Sequence, residues 1–112
     1  MADGPPLTDL AFNILVALTN EELHGYALVK RLRELEGRRD LRTGTVYAAL
    51  ARLQDEGWVE EGDPPSEGED ARRRYYRVTS EGREAARAEA SRLARVLGMA
   101  RSKDLLGDAA SA

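Results

Sequence analysis

The order of periodic apolar patterns along the 112-residue chain constrains its fold more than any other sequence feature. Four stretches repeat apolar residues at helical spacing, and two short stretches rich in aromatic and β-branched residues are typical of strands. The helical stretches are residues 7–19, 25–35, 43–57 and 80–101, and the strand-like stretches are residues 58–60 and 75–78. The sequence therefore predicts a mainly α fold with a small β-hairpin before the last helix.

The arrangement of these elements indicates a winged helix-turn-helix. Three helices, with a short turn between the second and the third, precede a two-stranded wing, which is the element order of that fold. Thr43 and Thr79 are the predicted N-caps of the third and fourth helices. We expect residues 7–79 to form the winged-helix domain, residues 80–101 a C-terminal dimerisation helix, and residues 102–112 a disordered tail.

Composition excludes several classes of chemistry. The chain has no cysteine and one histidine, His24, so it has no disulfide framework, no Cys-based zinc site and no thiol nucleophile. We expect His24 to be a turn or cap residue, because the sequence offers no second imidazole or thiol to complete a metal site. Paired catalytic carboxylates and a phosphate-binding loop are also not recognisable. The sequence therefore predicts a protein that is not an enzyme and that needs no cofactor or metal.

The first and last helices carry more apolar surface than one small domain needs. Apolar residues occupy nearly the whole circumference of the first helix, which either lies at the centre of the domain or contacts a second subunit. The last helix has a narrow alanine and leucine seam at alternating spacings of four and three residues, which is typical of helix pairing. The predicted dimer interface consists of Leu10, Phe12, Ile14, Ala90, Leu93 and Leu97. A pocket for a small-molecule effector is predicted at the same interface, lined by Phe12, Leu15, Leu93 and Met99.

The uneven distribution of charge bears on the choice of partner. The net charge is −3 and the pI is about 5.2, values that by themselves disfavour nucleic acid. Residues 58–71 contain six acids and no base, whereas residues 72–112 contain ten bases and five acids and begin with three consecutive arginines. Because the local sign of a surface decides its attraction for a polyanion, DNA is a compatible partner.

The third helix and the wing carry the residues that could contact DNA. Hydroxyl and N–H groups at the start of a helix suit phosphate, and arginine can contact base edges or the minor groove. The predicted contacts are Arg42, Thr43, Gly44, Thr45, Tyr47, Arg52, Arg72, Arg73 and Arg74. Two simpler interpretations stay open: the helix presents only a cap, a packed tyrosine and solvated charges, or the arginines only offset the acidic loop.

Four linked motifs resemble the PadR-like family of transcriptional regulators. They are LHGYAL at 23–28, TGTVYAALARL at 43–53, EGWV at 56–59 and RRRYYRVTSEG at 72–82, and the resemblance extends over residues 7–97. It implies a winged-helix DNA-binding domain, a dimer, and usually a repressor that leaves its operator when an effector binds. In short members of the family, the single C-terminal helix pairs with the first helix of the partner. The resemblance also makes Tyr26, at the entry to the second helix, a candidate DNA-binding residue: it implies either packing of Tyr26 beneath the third helix, which is the first expectation, or contact with a phosphate. The chain departs from the family at Ala48, where proline is usual, so the operator sequence does not follow from the resemblance.

Together these observations predict a cytoplasmic, dimeric, effector-responsive repressor that binds double-stranded DNA at a near-palindromic operator. The N-terminal stretch MADGPPLTD lacks a basic leader, and no apolar run is long enough to cross a membrane. The alternative function is a winged-helix module that binds an acidic protein partner through its arginine wing.

Overall fold

Four α-helices and a three-stranded antiparallel sheet form the part of the chain that the structure describes, which is residues 7–64, 68 and 73–107 of a computed structural model. In chain order the elements are α1 (Asp9–Leu18), β1 (Leu23–His24), α2 (Gly25–Glu36), α3 (Thr43–Asp55), β2 (Val59–Glu61), β3 (Tyr75–Val78) and α4 (Ser80–Ser102). All the predicted helices and strands are present within one or two residues of their expected ends, so the predicted fold class is confirmed.

The core lies where α1, α2 and α3 meet. Their large aliphatic side chains recur at three- and four-residue spacing, which places them on one side of each helix. The fully enclosed side chains are Ile14, Leu15, Leu18, Leu28, Leu32, Val46 and Leu50. Burial corrects two predictions. Ile14 has no exposed surface to offer a partner subunit, and Leu15 has none to offer an effector.

Two predicted caps are confirmed. His24 Nδ1 accepts a hydrogen bond from the Ala27 N–H at 3.1 Å at the start of α2, and Thr79 Oγ1 accepts one from the Gly82 N–H at 3.0 Å at the start of α4. Such bonds satisfy N–H groups that have no partner within the helix. The His24 ring is thereby fixed at the junction of β1 and α2.

The start of α3 differs from the prediction. Thr43 is the first helical residue and not the cap, because the Arg42 carbonyl already accepts hydrogen bonds from the Thr45 and Val46 N–H groups at 3.1 and 3.2 Å. The N-cap is Arg42, whose side chain makes no capping hydrogen bond. The Thr43 hydroxyl therefore lies on the exposed surface of α3 and is not engaged in capping.

The sheet has β3 at its centre, between β1 and β2. The β2–β3 pair is the predicted wing, with Val59 opposite Val78. The sequence does not reveal β1, because a strand of two residues is too short to show alternation. Its pairing places His24 opposite Tyr75, so the start of α2 lies beside the wing.

Contacts within the chain hold the turn between α2 and α3. Gly37 ends α2 in the left-handed conformation with a φ of 65°, which glycine adopts without steric cost. Arg33 Nε donates to the Leu41 carbonyl at 3.0 Å, and the Leu41 side chain is buried in the core. From α1, Asn13 Nδ2 donates to Glu36 Oε2 at 3.1 Å. The orientation of α3 is therefore set by the single chain.

The two halves of α4 have different surroundings. In the first half, Gly82 lies against the Trp58 backbone and Ala86 is buried. In the second half, the exposed large apolar side chains are Val96, Leu97 and Met99. The helix ends at Ser102, and residues 108–112 of the predicted tail lie outside the described residues, so that disorder stays a prediction.

One charged side chain of α4 is buried. Glu89 is 6% exposed and accepts two hydrogen bonds from the Arg92 guanidinium, at 3.1 Å on Oε1 and 2.5 Å on Oε2. These bonds and the positive charge of Arg92 hold the pKa of Glu89 below its ordinary value, against the opposite effect of burial. The buried carboxylate is therefore compensated by an arginine three residues further along the same helix.

Candidate nucleic-acid interface

The exposed side of α3 is the first component of the candidate site. Val46, Leu50 and Leu53 turn inward, which leaves the predicted DNA-contacting residues on the opposite side. The exposed residues of this set are Arg42, Thr43, Gly44, Thr45, Tyr47 and Arg52. Neither Arg42 nor Arg52 forms an ion pair with any residue in the described ranges. The surface of α3 therefore presents uncompensated positive charge near both of its ends.

The wing is the second component, and its own acids balance part of its positive charge. Arg74 Nε lies 3.1 Å from Glu61 Oε1, and Arg77 Nε donates to Glu60 Oε2 at 2.8 Å. The interpretation in which wing arginines offset nearby acids therefore applies to Arg74 and Arg77. Arg72, the first residue of the predicted arginine run, lies outside the described residues.

Arg73 lies above an aromatic cluster at the start of α2. Its guanidinium carbon lies 5.9 Å from the centroid of the Tyr26 ring, and its Nη1 lies 3.3 Å from His24 Nδ1. The His24 ring stacks with Tyr26 at 6.4 Å between centroids and meets Tyr75 edge-on at 5.4 Å. The face of an aromatic ring attracts a guanidinium in this position. The wing and the start of α2 therefore form one cationic and aromatic surface.

The position of Tyr26 corrects a prediction. The expected packing of Tyr26 beneath α3 is wrong, because 67% of the residue is exposed. The buried stripe of α2 consists of Leu28, Val29 and Leu32, which turns the tyrosine ring outward. A phosphate contact, the alternative for this residue, stays a prediction.

A shallow depression of about 350 Å³ separates the wing from α3. It is lined by His24, Gly25, Tyr26, Tyr47, Arg73, Arg74 and Tyr76. Tyr47 reaches the first residue of α2 so closely that a Cβ added at Gly25 would lie 1.9 Å from Tyr47 Oη. Glycine at position 25 therefore makes room for the phenol. Sequence reasoning missed this depression, because its residues come from three segments that no periodicity connects.

The described side chains that line the depression include two charged groups and a phenol with a raised pKa. Burial raises the pKa of Tyr76, and a hydrogen bond with Arg74 counteracts part of that rise. The Tyr76 phenol is therefore protonated at neutral pH and adds no negative charge. Among the described residues that line the depression, the permanently charged groups are the guanidinium groups of Arg73 and Arg74.

Comparison with known proteins decides the family. The family model described as "Transcriptional regulator PadR-like family" matches residues 14–88 of the chain. The chain belongs to the PadR-like family. Its members are transcriptional regulators and not enzymes, which confirms the prediction that this protein is not an enzyme.

Solved structures of PadR proteins share the fold. A PadR family transcription regulator from Clostridium difficile is 22% identical with a TM-score of 0.73, and the match covers 85% of this chain and 97% of that one. A PadR-like transcriptional regulator from Bacillus cereus is 26% identical with a TM-score of 0.72, and the match covers 88% of this chain and 93% of that one.

A curated relative also matches the chain. It is an uncharacterized 37.1 kDa protein in transposon TN4556 of Streptomyces fradiae, 38% identical over 90 residues, or 80% of this chain. The PadR-like chain spans only about a quarter of that relative's length, 24%.

In this PadR-like chain, some of the residues predicted for the dimer interface and the effector pocket line a groove, and others lie elsewhere on the surface of α4. An open groove of about 710 Å³ runs between α1, the α2–α3 turn and α4. Three of the predicted residues line it, namely Leu10, Phe12 and Leu93, and the groove also reaches Arg42 and Thr45 at the start of α3. Three others are exposed on α4 without lining it, namely Ala90, Leu97 and Met99.

Two negative findings hold for the described parts of the PadR-like chain. None of their helices combines the length and the apolarity needed to cross a membrane. No three acidic or histidine side chains among the same residues are grouped so that they could hold a metal ion.

Proposed function

We propose that this PadR-like protein is a homodimeric, sequence-specific DNA-binding regulator that represses transcription and releases its operator when a small-molecule effector binds. The observation that carries the proposal is one continuous surface: the exposed polar side of α3 borders the arginine- and tyrosine-lined depression beneath the wing. A polar helix face beside a cationic wing suits the major groove and the flanking backbone. Membership of a family of transcriptional regulators supports this function.

The exposed side of α3 supports direct contact with base pairs. The helix has 13 residues and is therefore about 20 Å long, enough to lie within one turn of the major groove. Arg52 can donate two hydrogen bonds to a guanine edge, and the hydroxyl groups of Thr43 and Thr45 can contact phosphates. At Gly44 no described atom lies within 4 Å of the position a Cβ would take, so backbone and DNA can approach closely there.

Exposed apolar surface supports the homodimer. Val96, Leu97 and Met99 on the second half of α4 are 53, 49 and 63% exposed, and Val16 on α1 is 44% exposed. Exposed large apolar side chains are typical of an interaction site, and a second copy of the same chain offers a matching surface. Two-fold symmetry then requires a near-palindromic operator whose half-sites are spaced by about one helical turn, roughly 34 Å, or a multiple of it.

The open groove supports a route for effector control. Phe12 of α1 and Leu93 of α4 line the groove, and so do Arg42 and Thr45 at the start of α3. An effector that binds between two copies at this groove changes the distance between their α3 helices. The effector binds the changed arrangement of the two copies more tightly than the arrangement that fits the operator. Operator affinity therefore falls by the ratio of these two effector affinities.

Selection of duplexes from a random library, followed by fluorescence anisotropy, tests DNA binding. We expect Arg52→Ala to lower operator affinity by about 5- to 150-fold, because one bidentate base contact is lost. Arg73→Ala should lower the slope of log affinity against log salt by about 1. As a matched control, Arg87→Ala removes an exposed arginine that pairs with Glu84 at 2.7 Å and leaves affinity within about twofold.

Two results would contradict the proposal. If no selected duplex binds at least about tenfold tighter than a scrambled competitor at moderate salt, the protein is not a sequence-specific DNA binder. If both Arg52→Ala and Arg73→Ala keep full operator affinity, the surface has been assigned wrongly and an acidic protein partner becomes the better explanation for the wing.

Sedimentation velocity tests the homodimer. Leu97→Glu places a charge on the exposed apolar side of α4 without touching the core of the single chain. We expect a dimer for the wild type, a monomer for the variant with an unchanged circular dichroism spectrum, and loss of operator binding. A wild-type protein that sediments as a monomer at micromolar concentration contradicts the proposal.

A further inference from the structure

We infer that Glu22 is a positioning residue that holds the end of β2, and with it the wing, in a fixed place relative to α3. This role rests on the proposed function and deepens it, because it assigns the alignment of the two DNA-contacting elements to a residue that does not itself need to touch DNA. Glu22 lies in the segment between α1 and β1, outside the wing.

Both oxygens of the Glu22 carboxylate contact the wing. Oε1 accepts a hydrogen bond from the Asp63 N–H at 2.9 Å, and Oε2 lies 3.9 Å from Nη1 of Arg77. The backbone at Gly62 is so close that a Cβ placed there would overlap Glu22 Oε1. Glycine at position 62 therefore leaves room for the carboxylate directly beside the end of β2.

Arg77 connects the same carboxylate to both strands of the wing. It belongs to β3, and its Nε donates to Glu60 Oε2 on β2 at 2.8 Å. Its Nη1 also lies 3.6 Å from Asp63 Oδ2. A single ion pair between exposed side chains contributes little, but here one guanidinium joins carboxylates from three segments, and one of these carboxylates also binds a backbone N–H. These side chains therefore link the segment before β1 to the whole wing.

The sheet topology explains why the end of β2 needs this link. β2 is an edge strand, separated from β1 by β3. Its base is fixed, because Val59 is buried and the Thr79 N–H donates to the Trp58 carbonyl at 3.0 Å. From Val59 to Asp63 the chain extends for roughly 13 Å, so a rotation of about 10° at the base moves the other end by about 2 Å. A hydrogen bond does not survive such a displacement, so the bond from Asp63 to Glu22 opposes the rotation.

The position of β2 determines the position of a group that borders α3. Glu61 of β2 lies 3.1 Å from Arg74, measured from Oε1 to Nε, and Arg74 lines the depression together with Tyr47 of α3. Two elements that bind one target must be held within about 0.5 Å of the required geometry. Loss of Glu22 should therefore weaken binding to the operator more than binding to unrelated DNA, which depends on charge and not on this alignment.

The direction of the effect distinguishes positioning from electrostatics. Removal of a carboxylate near a polyanion should by itself strengthen DNA binding. Removal of the link to β2 should instead weaken operator binding. Glu21 offers a matched control, because it is the neighbouring carboxylate in the same segment and pairs with Arg31 of α2 at 3.0 Å.

Two measurements on the full-length protein test the role of Glu22. Hydrogen exchange followed by NMR reports the protection of the Asp63 amide without DNA, and fluorescence anisotropy gives the affinities for a selected operator and for a scrambled duplex. Glu22→Ala should raise the exchange rate of the Asp63 amide by about tenfold. It should also lower the ratio of operator affinity to scrambled-duplex affinity by about tenfold, whereas Glu21→Ala should change each quantity by less than about twofold.

Two further variants address the hydrogen bond itself. Glu22→Gln keeps an oxygen that can accept from the Asp63 N–H, so it should restore most of the amide protection and most of the affinity ratio. Gly62→Ala places a methyl group against Glu22 Oε1 and should reproduce the effects of Glu22→Ala. Combined with Glu22→Ala it should add little, because both substitutions remove the same contact.

The outcomes separate this inference from the proposed function. If the Asp63 amide exchanges no faster in Glu22→Ala than in the wild type, Glu22 does not hold β2 and the inference is overturned, whatever the DNA measurements show. The inference is also overturned if exchange becomes faster but the affinity ratio stays the same or increases. If the wild type prefers no duplex over another, the proposed function fails and the role in recognition falls with it, while the exchange rates still show whether Glu22 holds β2.

Discussion

A methyl group at Gly25 would lie 1.9 Å from Tyr47 Oη and 2.5 Å from Tyr47 Cζ. Because ordinary contacts to a Cβ begin at 3.4 Å, Gly25→Ala requires the phenol to move by about 1.5 Å. The atoms that must move are the far end of a partly exposed side chain, so rotation of Tyr47 relieves the overlap without a backbone shift. We therefore predict that this substitution keeps the fold and disrupts the depression.

The two effects of Gly25→Ala have opposite signs. Gly25 is helical and does not have a positive φ, so alanine is compatible with its backbone. Alanine restricts the unfolded chain and should raise the free energy of unfolding by about 0.4–1 kcal/mol, or the Tm by roughly 2–8 °C, less the cost of rotating Tyr47. On the proposed function, Tyr47 contacts DNA from α3, and the loss of a hydrogen bond from its hydroxyl should lower operator affinity by about 10- to 150-fold.

A double-mutant cycle with Tyr47→Phe measures this coupling. Operator affinity by fluorescence anisotropy and Tm by circular dichroism are recorded for Gly25→Ala, Tyr47→Phe and the double variant. Because both substitutions remove the same contact, the double variant should bind no more weakly than Tyr47→Phe alone. Unchanged affinity in Gly25→Ala, or strictly additive losses in the double variant, would refute the reasoning.

Three further predictions concern stability. Leu50→Ala removes a fully enclosed side chain of α3 and should lower the free energy of unfolding by about 2–5 kcal/mol in urea denaturation, whereas a loss below about 1 kcal/mol would contradict the assigned core. Thr79→Ala removes the cap of α4 and a 2.6 Å hydrogen bond to the Gly57 carbonyl. It should cost about 1–2 kcal/mol by the same method, and Thr79→Ser should restore most of the loss. Because the folded-state pKa of Glu89 is lowered from 4.5, its ionised form stabilises the protein above that pH, and this contribution is lost as the pH falls. The gap in Tm between wild type and Glu89→Gln should therefore narrow on going from neutral pH to roughly pH 3, and a constant gap would contradict the assigned ion pair.

The helices and the core could be predicted from the sequence because they depend on local spacing. Val46, Leu50 and Leu53 recur at helical intervals, and the same three residues form the buried side of α3. The cap at Thr79 could be predicted for the same reason, since a cap bonds to a residue three positions away.

The errors arose where contacts join distant segments. The two-residue strand β1 is stabilised by pairing with β3, about fifty residues further along, and leaves no pattern of its own. The exposure of Tyr26 depends on which side of α2 meets the core, and that side is decided by how the helices pack against one another. The depression requires α2, α3 and the wing to be in place, so no single segment could indicate it.

The arrangement of α3 has an evolutionary consequence. Val46, Leu50 and Leu53 hold the helix in the fold, whereas a separate set, which includes Thr45 and Arg52, faces outward. On the proposed function, the outward set can change the DNA sequence that is read while the inward set keeps the helix in place. The 22% identity shared with the Clostridium difficile regulator at a TM-score of 0.73 shows how much sequence change this fold accommodates. On that function, a substitution in the outward set leaves the buried contacts of α3 in place, so DNA specificity and stability can evolve separately.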